Sequence, residues 1–192
     1  MSAIRQPTLS LSEFLAWEEQ QELRYEFDGC RALAMTGGTN VHAAIQINLA
    51  RAIGNRLDGK PCHFRGSDLK VAVAGRIRYP DGFVFCSAQS NDTRVITDPV
   101  VIFEVLSDST AAIDYGVKND EYAATPSVRR YVILEQTRVA ARMFERSVDD
   151  WIGHLLGPDS VIAMPEIGIE VPLAEFYRNI AFDDDGAESV GA

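Results

Sequence analysis

Long apolar runs are missing from this chain of 192 residues. None approaches the roughly 20 residues that a membrane-spanning helix needs, and the opening MSAIRQPTLS lacks the apolar segment of a signal peptide. Cysteine is scarce: Cys30, Cys62 and Cys86 lie far apart and form no CxxC. No zinc-finger spacing is present, and the odd, sparse count reads as free thiols, small core residues in a reducing, cytoplasmic compartment. Bases are the minority, 18 Lys and Arg against 28 Asp and Glu, for a net charge of −10. Such a balance argues against a polyanionic partner. The shortage is uneven, however. Residues 31–80 hold eight Lys or Arg and only two acids, Asp58 and Asp68, a local net of +6. That stretch reads either as solvated helix and strand faces or as one surface for a nucleic-acid backbone.

What is present suits one soluble domain. The apolar fraction of 46% is enough for a sizeable core. Residues 1–9 read as a flexible N-terminus, 10–180 as a single domain, and 181–192, with Asp183, Asp184, Asp185 and Glu188, as an acidic disordered tail. Ser10 and Glu13 have the spacing of a capping box ahead of a short helix. Asp28-Gly29 between two alternating runs predicts a hairpin. Gly37-Gly38-Thr39-Asn40 offers a helix cap, and Ile45, Leu49, Ile53 and Leu57 recur every four residues along a long amphipathic helix that Gly59 ends. Residues 69–74 and 78–86 read as two strands joined around Gly75, and VVIFEVL at 100–106 as a central strand covered on both faces. A helix from about 109 to 124, strands at 130–134 and 139–145, and a short helix over 173–180 complete the pattern. This is an α/β or α+β domain with a mixed central sheet flanked by helices.

Glu104 stands out, because it interrupts an otherwise apolar strand. A buried, unpaired carboxylate costs several kcal/mol or more, so it must be paired or bound to a metal. A buried salt bridge or a solvated strand end is the plain alternative. Asp81 follows Tyr79-Pro80, and alternation places it with Phe83 and Phe85 on one face. Two carboxylates on neighbouring strands make a hard-oxygen site suited to magnesium. Lys118 lies on the next helix, four residues after Asp114. An exposed pair of that kind is worth about 0.3–0.5 kcal/mol. The functional alternative is a lysine over the carboxylates that holds a water and offsets phosphate charge. Glu26, just before the hairpin turn, is a further carboxylate that could face the metal or solvent. His42, opening the long helix, reads more simply as a cap-side group than as a ligand, and Asp68 as a strand-entry residue.

YEFDG, the histidine-led helix, YPD, VIFEVLSDST, and DYGVKNDEY followed by RRYVIL resemble the Uma-two family of restriction-endonuclease-type proteins, within the PD-(D/E)XK nuclease superfamily. The resemblance spans about residues 10–180 and implies a restriction-endonuclease-like core with an N-terminal helix and hairpin. It implies that Asp81 is the aspartate of the PD element and Glu104 the acid of (D/E)XK. The superfamily lysine is expected two residues beyond that acid, where this chain has Leu106. Lys118 on the following helix takes its place in the Uma-two pattern, and Glu26 matches an early glutamate. The implied activity is magnesium-dependent hydrolysis of DNA, manganese being a possible substitute. Asp81, Glu104 and the Val105 backbone carbonyl would be ligands, Lys118 would position the water, and Glu26 would tune the site. A homodimer would cut both strands most easily. A non-catalytic nuclease-fold scaffold that binds DNA or a partner is the second expectation, and hydrolysis of RNA or a small phosphoester the third.

Overall fold

Ser10 caps the first helix as its sequence requires. In the computed structural model, which describes residues 8–35, 37–107, 111–148 and 150–182, the Ser10 hydroxyl accepts from the Glu13 N–H while the Glu13 carboxylate accepts from the Ser10 N–H at 2.8 Å. Helix α1 (Leu11–Glu18) turns Phe14 into a small cluster with Phe27, Ile77 and Tyr79. The expected hairpin follows as β1 (Tyr25–Phe27) and β2 (Ala32–Ala34). Its connection is longer than a two-residue turn: the Asp28 N–H donates to the Arg31 carbonyl, and the Asp28 carboxylate accepts from the Cys30 and Arg31 N–H groups. Gly29 supplies the φ of +98° that this path needs. Helix α2 (Asn40–Leu57) starts at Thr39, whose hydroxyl accepts from the His42 N–H. Its stripe of Ile45, Leu49, Ile53 and Leu57 is buried.

The chain continues through β3 (His63–Gly66), β4 (Lys70–Val73), β5 (Arg76–Arg78), β6 (Gly82–Phe85), β7 (Val95–Ile96) and β8 (Val101–Val105). A π-helical turn (Ile113–Lys118) runs into the short α3 (Asn119–Ala123). Then come β9 (Arg130–Leu134), β10 (Ala141–Arg146), β11 (Trp151–Leu156), β12 (Val161–Met164) and β13 (Ile169–Pro172). The main sheet has the order β11-β10-β9-β8-β6-β3. It is mixed, because β8 and β9 are parallel while its other neighbours are antiparallel. A second sheet has the order β2-β1-β5-β4-β7, and β12 and β13 pair separately. On one face of the main sheet, Val84, Val101, Phe103 and Val105 meet α2. On the other, Phe83, Phe85 and Ile102 meet Tyr122 and Tyr131. The mixed, doubly covered sheet expected from VVIFEVL is therefore observed.

Four expectations are corrected. The run from 78 to 86 is two strands in two sheets, because Pro80 has no N–H to give a ladder; pairing with β4 ends at Arg78 and pairing with β8 begins at Gly82. The chain crosses between the sheets in the same way from β3 to β4 and from β7 to β8. The last helix is a 3-10 segment, Leu173–Tyr177, although Leu173, Phe176 and Tyr177 are buried as anticipated. The basic stretch does not present one charged face. Lys70 and Arg78 are buried, and Arg31, Arg56, Lys70, Arg76 and Arg78 are all ion-paired. Finally, Cys62 and Cys86 are not thiols but a disulfide, at the end of the β3–β6 ladder where His63 faces Phe85; only Cys30 is free. The acidic tail residues Asp183, Asp184, Asp185 and Glu188 lie outside the described residues, as do residues 1–7.

The disulfide closes a loop of sequence separation 24, for which chain entropy gives about 3 kcal/mol. Urea unfolding with and without reductant should differ by that order, and Cys62→Ser should remove the difference. Equal midpoints in the wild type would mean that the bridge adds no stability.

Candidate active site

Alternation along β8 turns Glu104 to the same face as Ile102, away from α2. There it is only 4% exposed. It accepts from the Lys118 ammonium at 2.8 Å and from the Tyr122 hydroxyl at 3.1 Å. Burial pushes its carboxyl up to about 8; Lys118 opposes the shift, and the charges of Asp81, Asp114 and Glu26 add to it. Lys118 also stands 3.0 Å from Asp114 and 3.8 Å from Glu26. The pair with Asp114 thus exists, but both side chains are buried, and the lysine reaches two further carboxylates. Residues four apart share one face of this helical turn, which brings Asp114 and Lys118 to the same place. Burial works against the lysine's charge, yet Glu104, Glu26 and Asp114 outweigh it and hold the amine well above its ordinary value.

Phe27 packs into the α1 cluster, so its neighbour Glu26 faces the other way. Glu26 accepts from the Arg78 guanidinium at 3.0 Å and from the Tyr79 N–H at 3.2 Å. Arg78 is 1% exposed and grips Glu121 of α3 through two bonds of 2.7 and 2.6 Å. Arg76 reaches the same carboxylate at 3.0 Å.

Asp81 lies in the break before β6, and it meets α2 rather than the Phe83 and Phe85 face predicted for it. Those two rings pack on the opposite side of the sheet with Tyr122 and Tyr131. One Asp81 oxygen accepts from the Gln46 amide at 2.6 Å. The other accepts from the Val105 N–H at 2.6 Å and lies 3.2 Å from His42 Nε2. The Val105 N–H is available because the β6–β8 register stops at Gly82 opposite Phe103; the carboxylate replaces the missing strand. The hydrogen bond to Asp81 raises the His42 pKa, burial opposes it, and the charges of Asp81 and Asp114 and the Val105 carbonyl add to the rise.

Glu104, Lys118 and Glu26 are thus brought into contact; Asp81 touches none of them and is tied to the group by the Val105 N–H, next to Glu104 on β8, and by its charge, which acts on Glu104. Asp68 is not among them; it is exposed and pairs with Arg24. Sequence reasoning missed Arg78, Glu121, Gln46 and Tyr122. Two spacings pointed to some of them: Gln46 is one helical turn after His42, and Glu121 follows Lys118 by three. Five carboxylates, Glu26, Asp81, Glu104, Asp114 and Glu121, face three permanent cations, Arg76, Arg78 and Lys118. Such an excess of hard oxygens suits a divalent cation. Among the described residues, no three His, Cys, Asp or Glu side chains are set to hold an ion by themselves. Two carboxylates with a backbone carbonyl, water and substrate oxygens make the kind of set that magnesium uses.

A family model described as "Putative restriction endonuclease" (Uma2) matches residues 11–174. The chain is 33% identical over 180 residues to the "Uncharacterized protein slr1290" of Synechocystis sp., covering 92% of this chain and 95% of that one. It is 26% identical over 161 residues to the "Uncharacterized protein sll1609" of the same organism, covering 80% and 91%. Its fold is that of a structure from Anabaena variabilis described as "a putative nuclease belonging to DUF820". The TM-score is 0.72 at 13% identity, over 88% of this chain and 97% of that one. No helix among the described residues is long and apolar enough to cross a membrane.

Replacing Arg78 with Met leaves Glu26 and Glu121 without their shared cation. Breaking a buried pair in this way costs about 3–5 kcal/mol, readable as a lower urea midpoint; an unchanged midpoint would refute the network. Glu104 supplies a pH test. Its folded value, about 8, lies above the ordinary 4.5, so between these values the folded state binds more protons than the unfolded one. Without divalent ions, stability should fall as pH rises through that window, and Glu104→Gln should flatten the fall. Parallel pH curves for the two proteins would contradict it.

Proposed function

The chain belongs to the Uma2 family, and from that membership and the carboxylate excess around Glu104 we propose that it is a magnesium-dependent endonuclease that hydrolyses DNA phosphodiester bonds. The observation that carries this reading is Glu104, buried in a central strand among other acids with Lys118 against it. Asp81, Glu104 and the Val105 carbonyl would hold the ion. Magnesium bound there supplies charge to offset that developing on the phosphate and makes a water more acidic. Lys118, kept charged by its three carboxylates, orients the attacking water and faces the phosphate. Glu26 tunes the site by holding the lysine, and Arg78 holds Glu26. Manganese can replace magnesium. A two-fold homodimer would bring two such sites to the two strands.

A second reading has its own observation. Glu104 is already satisfied by Lys118 and Tyr122, and most of the basic stretch is neutralised internally, as a non-catalytic scaffold would tolerate. Supercoiled and linear DNA incubated with magnesium, manganese or chelator separates the two. The nuclease reading expects metal-dependent nicking, reduced at least 100-fold in Asp81→Ala and Lys118→Ala, in line with the loss of a main electrostatic group. Binding of DNA without cleavage under any metal would leave the scaffold.

A further inference from the structure

Asp81 is held by three groups, and two of the residues that supply them come from one turn of α2. The Gln46 amide donates to Oδ1 at 2.6 Å. His42 Nε2 stands 3.2 Å from Oδ2, which also takes the Val105 N–H at 2.6 Å. His42 is itself seated. Gly38 closes against one side of its ring so tightly that a Cβ there would come within 2.9 Å of the imidazole Cγ and Nδ1. The atoms that a Cβ would meet include the root of the ring and the His42 Cβ, so the clash could not be relieved by a small swing of a flexible tip. A carboxylate offers about four acceptor positions. Val105 and His42 occupy those of Oδ2, and Gln46 takes one of Oδ1.

We infer that Gly38, His42 and Gln46 form a clamp that fixes the Asp81 carboxylate and leaves one lone pair of Oδ1 open for a divalent cation. His42 and Gln46 are positioning residues: they act on the ion through Asp81. Gly38 acts one step further out, as the wall that keeps the imidazole in place. The clamp explains why a half-buried glutamine and histidine share one helix face at i and i+4 beside an acid. It rests on the metal site proposed above.

The test is the dissociation constant of Mn2+, read from the free-ion electron paramagnetic resonance signal and by calorimetry, on the full chain without DNA. Losing an outer partner of a metal ligand costs about 10- to 100-fold in affinity. Gln46→Met keeps the length of the side chain and removes the donor; it should weaken Mn2+ binding by at least about 10-fold. Gly38→Ala should do so as well, though it alters neither a carboxylate nor a donor. Thermal midpoints without metal identify any variant that has merely unfolded. If Gln46→Met does not fold, Gly38→Ala, at an exposed position, carries the same test. Wild type that binds no Mn2+ overturns the metal site, and the clamp with it. Wild type that binds while both folded variants bind equally well overturns the clamp alone. Tighter binding in either variant also overturns it, since His42 and Gln46 would then obstruct the ion.

Discussion

The guanidinium of Arg78 is withdrawn almost wholly from water, and much of the structure follows from what that requires. Desolvating such an ion costs several kcal/mol, recovered only when its partners arrive with good geometry. Its partners come from β1 and α3, elements on either side of β5 in the sequence. The small sheet cannot settle without the helix that carries Lys118, and that helix cannot settle without the small sheet. Glu26, held by Arg78, then faces the lysine, and the lysine faces Glu104. The candidate site is the far end of a folding network, not a separate constellation placed on a finished scaffold.

The same network shapes what could enter. The whole chain is acidic, and the cluster adds an excess of carboxylates to that background. A phosphate diester approaching Glu104 and Asp81 meets like charge, with Lys118 already engaged by three acids. An anion is therefore admitted only together with countercharge. The cation proposed above would therefore answer to the electrostatics of the site as well as to the chemistry of the water.

The parts of this arrangement that were legible in the sequence were those that break a pattern. The four-residue stripe of α2 stood out by periodicity, and Glu104 by interrupting a strand. Asp81 and Lys118 gained meaning from Glu104 and from the resemblance to Uma-two. The parts that were illegible break no pattern. Arg78 looked like one more base in a basic stretch, since a charge count records no partner. Gln46 is neutral and suits any half-exposed helix position. Three cysteines do not say which two meet; Cys62 and Cys86 are joined only because β3 and β6 pair in a register that brings their ends together. The strand break at Tyr79-Pro80 was visible as a proline, but the handover to another sheet is a tertiary fact.

Among the described strands the chain passes between the two sheets five times, three of them within a few residues, and Asp81 sits on one of these short stitches. Short stitches leave no slack for one sheet to detach while the other persists. A form that kept the main sheet and shed the small one would retain Glu104 but lose Glu26 and Arg78, and β6 would be freed from the chain that leads into it. Assembly of the cluster is thus tied to the packing of both sheets: it is complete only when Glu26 and Arg78 of the small sheet stand against Lys118 and Glu121.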